Sequence, residues 1–129
     1  MSRPFTQLCR WGPLFGHMGV IFYFSSLPRP GLAEFAPDYV LHFAGYAVLG
    51  LLAVRAFAGR LLAPAAGRVY LYAVAFSLAY ALTDEWHQSF VPGRFPSLED
   101  AAADGLGAAA AASALAFYHR ALARSRSFR

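Results

Sequence analysis

Long apolar runs separated by short polar segments dominate this chain. Four such runs cover residues 11–27, 39–58, 69–90 and 101–118, and each contains 17 to 22 residues. A helix of about 20 residues crosses the hydrocarbon core of a membrane, which is roughly 30 Å thick. The pattern therefore predicts an all-α, polytopic membrane protein whose four transmembrane helices pack as a small bundle. With 129 residues in total, we expect one membrane domain over 1–129.

Proline, glycine and alanine shape the predicted helices. A Pro/Gly-rich stretch at 28–31 ends the first helix, and Asp38 is a candidate N-cap for the second. Pro13 is expected near the start of the first helix, where a proline is tolerated. The fourth helix is rich in alanine, and its face of small residues could support close packing or a homo-oligomer.

Arginine-rich and arginine-poor segments alternate along the chain. The rich segments hold arginines at positions 3 and 10, at 55, 60 and 68, and at 120, 124, 126 and 129. The first connection holds Arg29 beside Glu34 and Asp38, and the third holds Arg94 among carboxylates. Because arginine-rich loops stay in the cytoplasm, both termini are expected there and the third connection outside. No aromatic-interleaved basic groove accompanies the net charge of +4, which argues against nucleic-acid binding.

The most polar segment of the chain, 84–94, follows the third apolar run. Helical spacing places Asp84, His87 and Gln88 within one sector of a helix, with Glu85 at its flank. The Pro-Gly pair that follows predicts a turn, which would fold Arg94 back over these acids. Ionisable side chains in a membrane protein are a functional-site hypothesis by default.

Two other predicted helices add to this cluster. His42 and Tyr46 share one face of the second helix, and Asp100 and Asp104 lie one turn apart on the fourth. Four carboxylates, at positions 84, 85, 100 and 104, outnumber the single arginine. Burying this excess is unfavourable unless protons, a cation or a cationic ligand group compensates. The charge imbalance therefore predicts that something binds here.

Three interpretations of the cluster are open from the residues alone. The first is a metal site with one open position, formed by His42, Asp84, His87 and Asp104. The second is general acid/base catalysis by two carboxylates, with Arg94 binding a phosphate or carboxylate. The third is a structural network of hydrogen bonds that fixes the register of the helices. No closely spaced pair of histidines or cysteines identifies a metal, and no cofactor is assigned.

Four motifs carry a resemblance to a known family. They are Ser25-Ser26-x-Pro28, Asp38-x-x-x-His42-Phe43-x-x-Tyr46-x-x-Leu49-Gly50, Asp84-Glu85-x-x-Gln88-x-Phe90-x-Pro92-Gly93-Arg94 and Asp100-x-x-x-Asp104-Gly105-x-Gly107. On these motifs the chain resembles the VanZ-like family of small bacterial integral membrane proteins. It departs from the family pattern at Tyr39, where a lysine is usual, and at Asp104, where an asparagine is usual. The second departure adds a negative charge to the cluster.

The resemblance implies a protein of the bacterial inner membrane whose polar motifs gather on the extracytoplasmic side. It also implies a link to low-level resistance to teicoplanin, a glycopeptide that binds cell-wall precursors, and it brings no settled reaction. Our hypothesis is a protein that binds or acts on an envelope lipid or cell-wall precursor, among membrane lipids as partners. Its catalytic candidates are Asp84, Glu85 and His42, and its ligand-binding candidates are Arg94, Gln88, Asp100, Asp104 and Tyr46. The alternative is a non-catalytic binding module or partner subunit whose polar cluster is structural.

Overall fold

The computed structural model describes residues 3–28, 36–62 and 64–127, with side chains described over 5–28, 36–62 and 64–125. Four α-helices make up the described chain: α1 (Arg3–Ser25), α2 (Asp38–Ala58), α3 (Gly67–Gln88) and α4 (Leu98–Ser127). No strand occurs in these ranges, so the all-α prediction is confirmed. The predicted turn at 28–31 and the charges at Arg29 and Glu34 fall largely or wholly outside the described residues, as do the side chains at 3, 126 and 129.

The helices α2 and α4 form the most extensive interface of the bundle. Gly50 lies so close to α4 that an added Cβ would come within 2.9 Å of the Ala108 carbonyl oxygen. A Cβ on Gly107 would likewise overlap the backbone of Phe43. Small residues therefore allow the two backbones to approach closely, as the alanine-rich sequence predicted. Because Gly107 and Ala108 face α2 inside one chain, homo-oligomerisation through this face stays a prediction.

The remaining helices pack around this pair. α3 contacts both α2 and α4, whereas α1 contacts α2 and, less extensively, α3. The buried apolar residues that fill the space between the helices are Leu14, Tyr46, Leu49, Ala53, Val54, Ala56, Ala73, Ala81, Ala112 and Leu115. Large apolar side chains on the outward faces, such as Leu71, Leu82 and Phe117, are exposed. An apolar exterior of this kind suits contact with lipid or with another protein.

By length and apolar composition, α2 and α4 are each able to cross a membrane. Among the described helices, α1 and α3 contain no stretch that meets the same test of length, hydropathy and charge, so the arrangement with four membrane spans stays a prediction.

Helix α1 begins eight residues earlier than expected, and the position assigned to Pro13 was therefore wrong. Pro13 lies inside the helix, where its missing N–H leaves the carbonyl of Cys9 without its helical donor. Arg55 of α2 supplies the replacement, since its Nη2 donates to the Cys9 carbonyl at 2.9 Å. Its Nη1 donates to the carbonyl of Arg10 at 3.0 Å. The carbonyl left unpaired by the proline within α1 is thus hydrogen-bonded by α2 instead.

Other helix limits also differ from the prediction. α4 starts at Leu98 and continues to Ser127, well beyond residue 118, because alanine, leucine and arginine favour helix and nothing in this tail interrupts it. α3 covers Gly67–Gln88 instead of 69–90. Asp38 is the first residue of α2 and not its N-cap; the N-cap is Pro37, without a side-chain hydrogen bond.

The end of the bundle where α2 and α4 finish is the basic end, which we define by Arg10, Arg55, Tyr70 and His119. Helix α2 ends at Ala58, and Gly59 follows with a φ of 79°, the left-handed conformation common after a helix. Arg10 donates through Nε and Nη2 to the carbonyls of Ala56 and Phe57, in the last turn of α2. A cation at a helix C-terminus also interacts favourably with the helix dipole.

Candidate functional site

The opposite end of the bundle, where α1 and α3 finish and α2 and α4 begin, collects the acidic residues. This acidic end consists of Ser25, Asp38, His42, Tyr46, Asp84, Glu85, Gln88, Arg94, Ser97, Asp100 and Asp104. All eight site residues predicted from the sequence lie in it. They come from three helices and one connection, so only the folded bundle brings them together.

Asp84 is the centre of a buried hydrogen-bond network between α1 and α3. Its Oδ1 accepts a short hydrogen bond of 2.5 Å from the Ser25 hydroxyl, and its Oδ2 accepts one of 3.2 Å from Gln88 Nε2. The Asp84 residue is 3% exposed, so neighbours replace the water that both oxygens would otherwise bind. Ser25 is a hydrogen-bond partner of Asp84 that the sequence did not identify, although its Ser-Ser-x-Pro motif was visible.

Arg94 folds back over this network, as the Pro-Gly turn predicted. Gly93 adopts a φ of 80°, which favours glycine, and the Arg94 N–H donates to the Val91 carbonyl at 3.1 Å. Arg94 donates through Nε and Nη2 to Gln88 Oε1, at 3.1 and 2.6 Å. Its Nη1 lies 4.0 Å from Asp38 Oδ2. The closest partner of the guanidinium is therefore an amide oxygen and not a carboxylate.

A second polar group links α2, α3 and α4. His42 Nδ1 lies 3.0 Å from Asp104 Oδ1, and Asp104 is fully buried. Glu85 is 8% exposed, and its Oε2 accepts a hydrogen bond of 2.8 Å from the Ser97 N–H. Among the described side chains, three buried oxygens here lack a hydrogen-bond partner: Tyr46 Oη, Glu85 Oε1 and Asp104 Oδ2.

Of the four residues in the metal interpretation, the structure groups His42 with Asp104 but places neither Asp84 nor His87 in that group. The ring of His87 stacks on Phe22 of α1, with centroids 4.4 Å apart, and its Nε2 lies 3.0 Å from the Ser26 hydroxyl. Both oxygens of Asp84 already bind Ser25 and Gln88. In the described residues His42 and Asp104 instead group with Glu85, since one ligand atom from each lies within 4.8 Å of the others. A second group joins His42 to Asp38 and Asp100.

A cavity of about 180 Å³ opens between α1, α2 and the end of α3. Its polar wall includes Asp38, His42, Asp84, Gln88 and Arg94, and its apolar wall includes Val20, Ile21, Phe24 and Leu41. His17 also lines it and donates through Nε2 to the Gly45 carbonyl at 2.9 Å. The cavity therefore offers one guanidinium, several acids and an apolar face to a single ligand.

One buried histidine at the basic end escaped the sequence analysis. His119 Nε2 donates to the Leu61 carbonyl at 2.8 Å, so its Nδ1 accepts from the Tyr70 hydroxyl at 2.6 Å. The only signal was a histidine placed before the arginine-rich tail, which is a position that favours the surface. Both ring nitrogens are satisfied, and this histidine joins α4 to α3 and to the connection that follows α2.

Comparison with known proteins agrees with the motifs. The model of the VanZ/LLP1 family matches residues 11–119, which are 109 of the 129 residues. No curated protein and no solved structure matches the chain. The matched region includes every residue of the acidic end, all of α2 and most of α4, the two helices that are apolar enough to cross a membrane. The chain is therefore a membrane protein that belongs to the VanZ/LLP1 family.

Proposed function

We propose that this protein binds the head group of an envelope lipid or lipid-linked cell-wall precursor at the outer surface of the bacterial inner membrane. In this arrangement four helices cross the membrane, both termini lie in the cytoplasm and the acidic end faces outward. The observation that carries the proposal is the cavity beneath Arg94, where a guanidinium meets an apolar helix face.

The size of the cavity supports a head group as the ligand. A volume of about 180 Å³ is small beside the roughly 300–1,000 Å³ that drug-sized ligands occupy. Val20, Ile21 and Phe24 of α1 line one side, and Val20 and Tyr23 also present exposed apolar surface along the same helix. A lipid would therefore place its head group in the cavity and its acyl chains along α1, in the membrane.

The guanidinium of Arg94 supports an anionic group as the part recognised. Two of its nitrogens are held by Gln88 Oε1, whereas Nη1 is 4.0 Å from Asp38, beyond hydrogen-bond range. A phosphate oxygen would bind at Nη1, because planar guanidinium groups recognise phosphate with strong, directional hydrogen bonds. Asp84 and Gln88 position the arginine. The side chain of Asp38 is 45% exposed and suits a cationic part of the head group.

Binding is the activity that this geometry supports best. Asp84 has both oxygens engaged, which suits a role in holding Arg94 more than a role in proton transfer. Catalysis by Asp84, Glu85 or His42 stays a prediction. A link to teicoplanin resistance is part of the proposal, since a protein that binds lipid-linked precursors would act on the molecules that this antibiotic recognises.

Native mass spectrometry of the purified protein with defined lipids tests the proposal. We expect binding of phosphatidylglycerol or a polyprenyl phosphate, weakened at least tenfold by Arg94→Ala, since a charge-assisted hydrogen bond contributes about 1.5–3 kcal/mol. Arg60→Ala is the matched control, because Arg60 is an exposed arginine near the basic end. Equal lipid binding by the two variants would contradict the proposal.

Cysteine labelling tests the orientation. Cys9 is the single cysteine, so a Cys9→Ser background can carry Phe95→Cys in the exposed third connection or Ser125→Cys in the exposed tail of α4. We expect a membrane-impermeant maleimide to label position 95 in intact cells with opened outer layers, and position 125 only after the inner membrane is permeabilised. The reverse pattern would show that the acidic end faces the cytoplasm.

A further inference from the structure

We infer that His42, Glu85 and Asp104 form a binding site for one divalent transition-metal ion of the zinc or manganese class. The three residues lie on α2, α3 and α4, and the ion would join all three helices. The inference goes beyond head-group binding and does not depend on it.

The distances between the three side chains suit a shared ion. One ligand atom from each side chain lies within 4.8 Å of the other two. His42 Nδ1 and Asp104 Oδ1 are 3.0 Å apart. Two ligands that each bind zinc at about 2.0–2.1 Å are themselves separated by roughly 3–3.5 Å. The pair that now shares a hydrogen bond is therefore already spaced as two ligands of one ion.

Two buried oxygens without a hydrogen-bond partner support the ion independently of the distances. Asp104 is fully buried, yet its Oδ2 has no hydrogen-bond partner. Glu85 is 8% exposed, and its Oε1 has none either. Buried polar atoms in proteins are nearly always paired with protein or water. A cation held between the two acids would supply the partner that each of these oxygens lacks.

The local charge favours a divalent ion. Two buried carboxylates and a neutral imidazole carry a net charge of −2, which one divalent cation cancels. Arg94 does not neutralise either acid by contact, since two of its nitrogens donate to Gln88 and the third faces Asp38. A protonated His42 would balance only one of the two carboxylates.

The donor set and the surroundings narrow the class of metal. One imidazole and two carboxylates suit zinc or manganese, and three protein ligands leave a position open for water or an anion. Asp38 and Asp100 also group with His42, and the side chain of Asp38 is 45% exposed. These acids give a cation a route from the surface. Because His42 also lines the cavity, the ion would adjoin it.

Metal binding by the tag-free protein tests the inference without any lipid. The protein in detergent is stripped with a chelator and titrated calorimetrically with zinc or manganese chloride, and bound metal is counted by elemental mass spectrometry. We expect one ion per chain and a higher melting temperature with metal. Glu85→Gln and Asp104→Asn should each weaken binding at least tenfold. Glu99→Gln removes an exposed carboxylate from the same helix as Asp104 and should bind like the wild type.

A spectroscopic measurement on the wild type keeps the test decisive even if a variant fails to fold. X-ray absorption of the zinc-loaded protein should show oxygen ligands and imidazole, and the imidazole signal should disappear in His42→Gln. A wild-type protein that binds no stoichiometric ion would overturn the inference. So would Glu85→Gln and Asp104→Asn variants that keep wild-type affinity.

Discussion

The two ends of the bundle differ in whether their buried polar groups have hydrogen-bond partners. At the basic end, both ring nitrogens of His119 have partners, and Arg10 and Arg55 each donate to backbone carbonyls of the neighbouring helix. At the acidic end, Glu85, Asp104 and Tyr46 each keep a buried oxygen without a partner. The ends share the same helices, so the difference lies in their side chains.

This difference separates polar residues that hold the bundle from polar residues that are available to a ligand. A satisfied hydrogen bond contributes about 1 kcal/mol to stability, whereas a buried unsatisfied group lowers it by roughly 1–3 kcal/mol. The basic end therefore stabilises the fold. The acidic end is held in place by the fold at an energetic cost, which is typical of a binding site.

We expect the largest effect on stability from a substitution in the interface between α2 and α4, which supports both ends of the bundle. Gly107→Ala places a Cβ against the backbone of Phe43, and α2 and α4 must separate to admit it. We expect a loss of about 3 kcal/mol in unfolding free energy, at the upper end of overpacking effects, measured by denaturation in detergent.

Gly19→Ala is the control for that substitution, because a Cβ there has open space around it. It should leave stability unchanged or slightly raised, since alanine favours helix over glycine. A Gly107→Ala protein as stable as Gly19→Ala would mean that the interface is less tight than described.

At the basic end, His119→Ala should destabilise the protein by about 2 kcal/mol, because it leaves the Tyr70 hydroxyl and the Leu61 carbonyl without partners. Binding of lipid or metal at the other end should not change. Arg120→Ala alters the exposed neighbour and should be silent in thermal unfolding. If the His119→Ala protein were as stable as the wild type, His119 would not stabilise the fold. The basic end would then no longer differ from the acidic end.

Asp84→Asn tests the satisfied part of the acidic end. An asparagine amide cannot accept hydrogen bonds at both positions that Ser25 and Gln88 now use. We expect a loss of about 1 kcal/mol, together with weaker lipid binding because Gln88 no longer holds Arg94. Trp86→Phe, at an exposed neighbouring position, should change neither. Full stability with full lipid binding would show that Asp84 does not support the arginine.

The smallest effect is expected at the unsatisfied part of the acidic end. In metal-free protein, Asp104→Asn should leave stability unchanged or raise it by up to about 1 kcal/mol, as relief of a strained site does. The side chain keeps its size while a buried charge disappears. A loss as large as that of His119→Ala would show that Asp104 is structural, and the two ends would then be alike.

The helices and the composition of the acidic end were predictable because both follow from local patterns. Apolar runs of helical length gave α2 to within one residue at its start. The turn at Pro92 and Gly93 determined that Arg94 reaches back toward α3. In each case a few neighbouring residues decide the outcome.

The pairing of side chains across helices was not predictable in the same way. Helical spacing shows which side of α3 a residue occupies, but not which helix lies opposite. Asp84 and His87 were assigned to one sector, and both do contact α1, Asp84 through Ser25 and His87 through Phe22. The spacing did not show that α1 would be the helix opposite them. Glu85, expected at the flank, instead joins His42 and Asp104. Those partners depend on how far each helix is rotated, which the whole bundle determines.

A small rotation of α1 near Pro13 would become a larger displacement at the other end of the helix. The proline sits where Arg55 ties α1 to α2, and Ser25 lies at the far tip of the same helix. Twelve residues separate them, so this part of the helix is about 18 Å long, and a change of about 5° in its direction would displace Ser25 by roughly 1.5 Å. That displacement is enough to break the hydrogen bond of 2.5 Å between Ser25 and Asp84. A small change in the direction of α1 at the basic end would therefore shift the wall of the cavity at the acidic end.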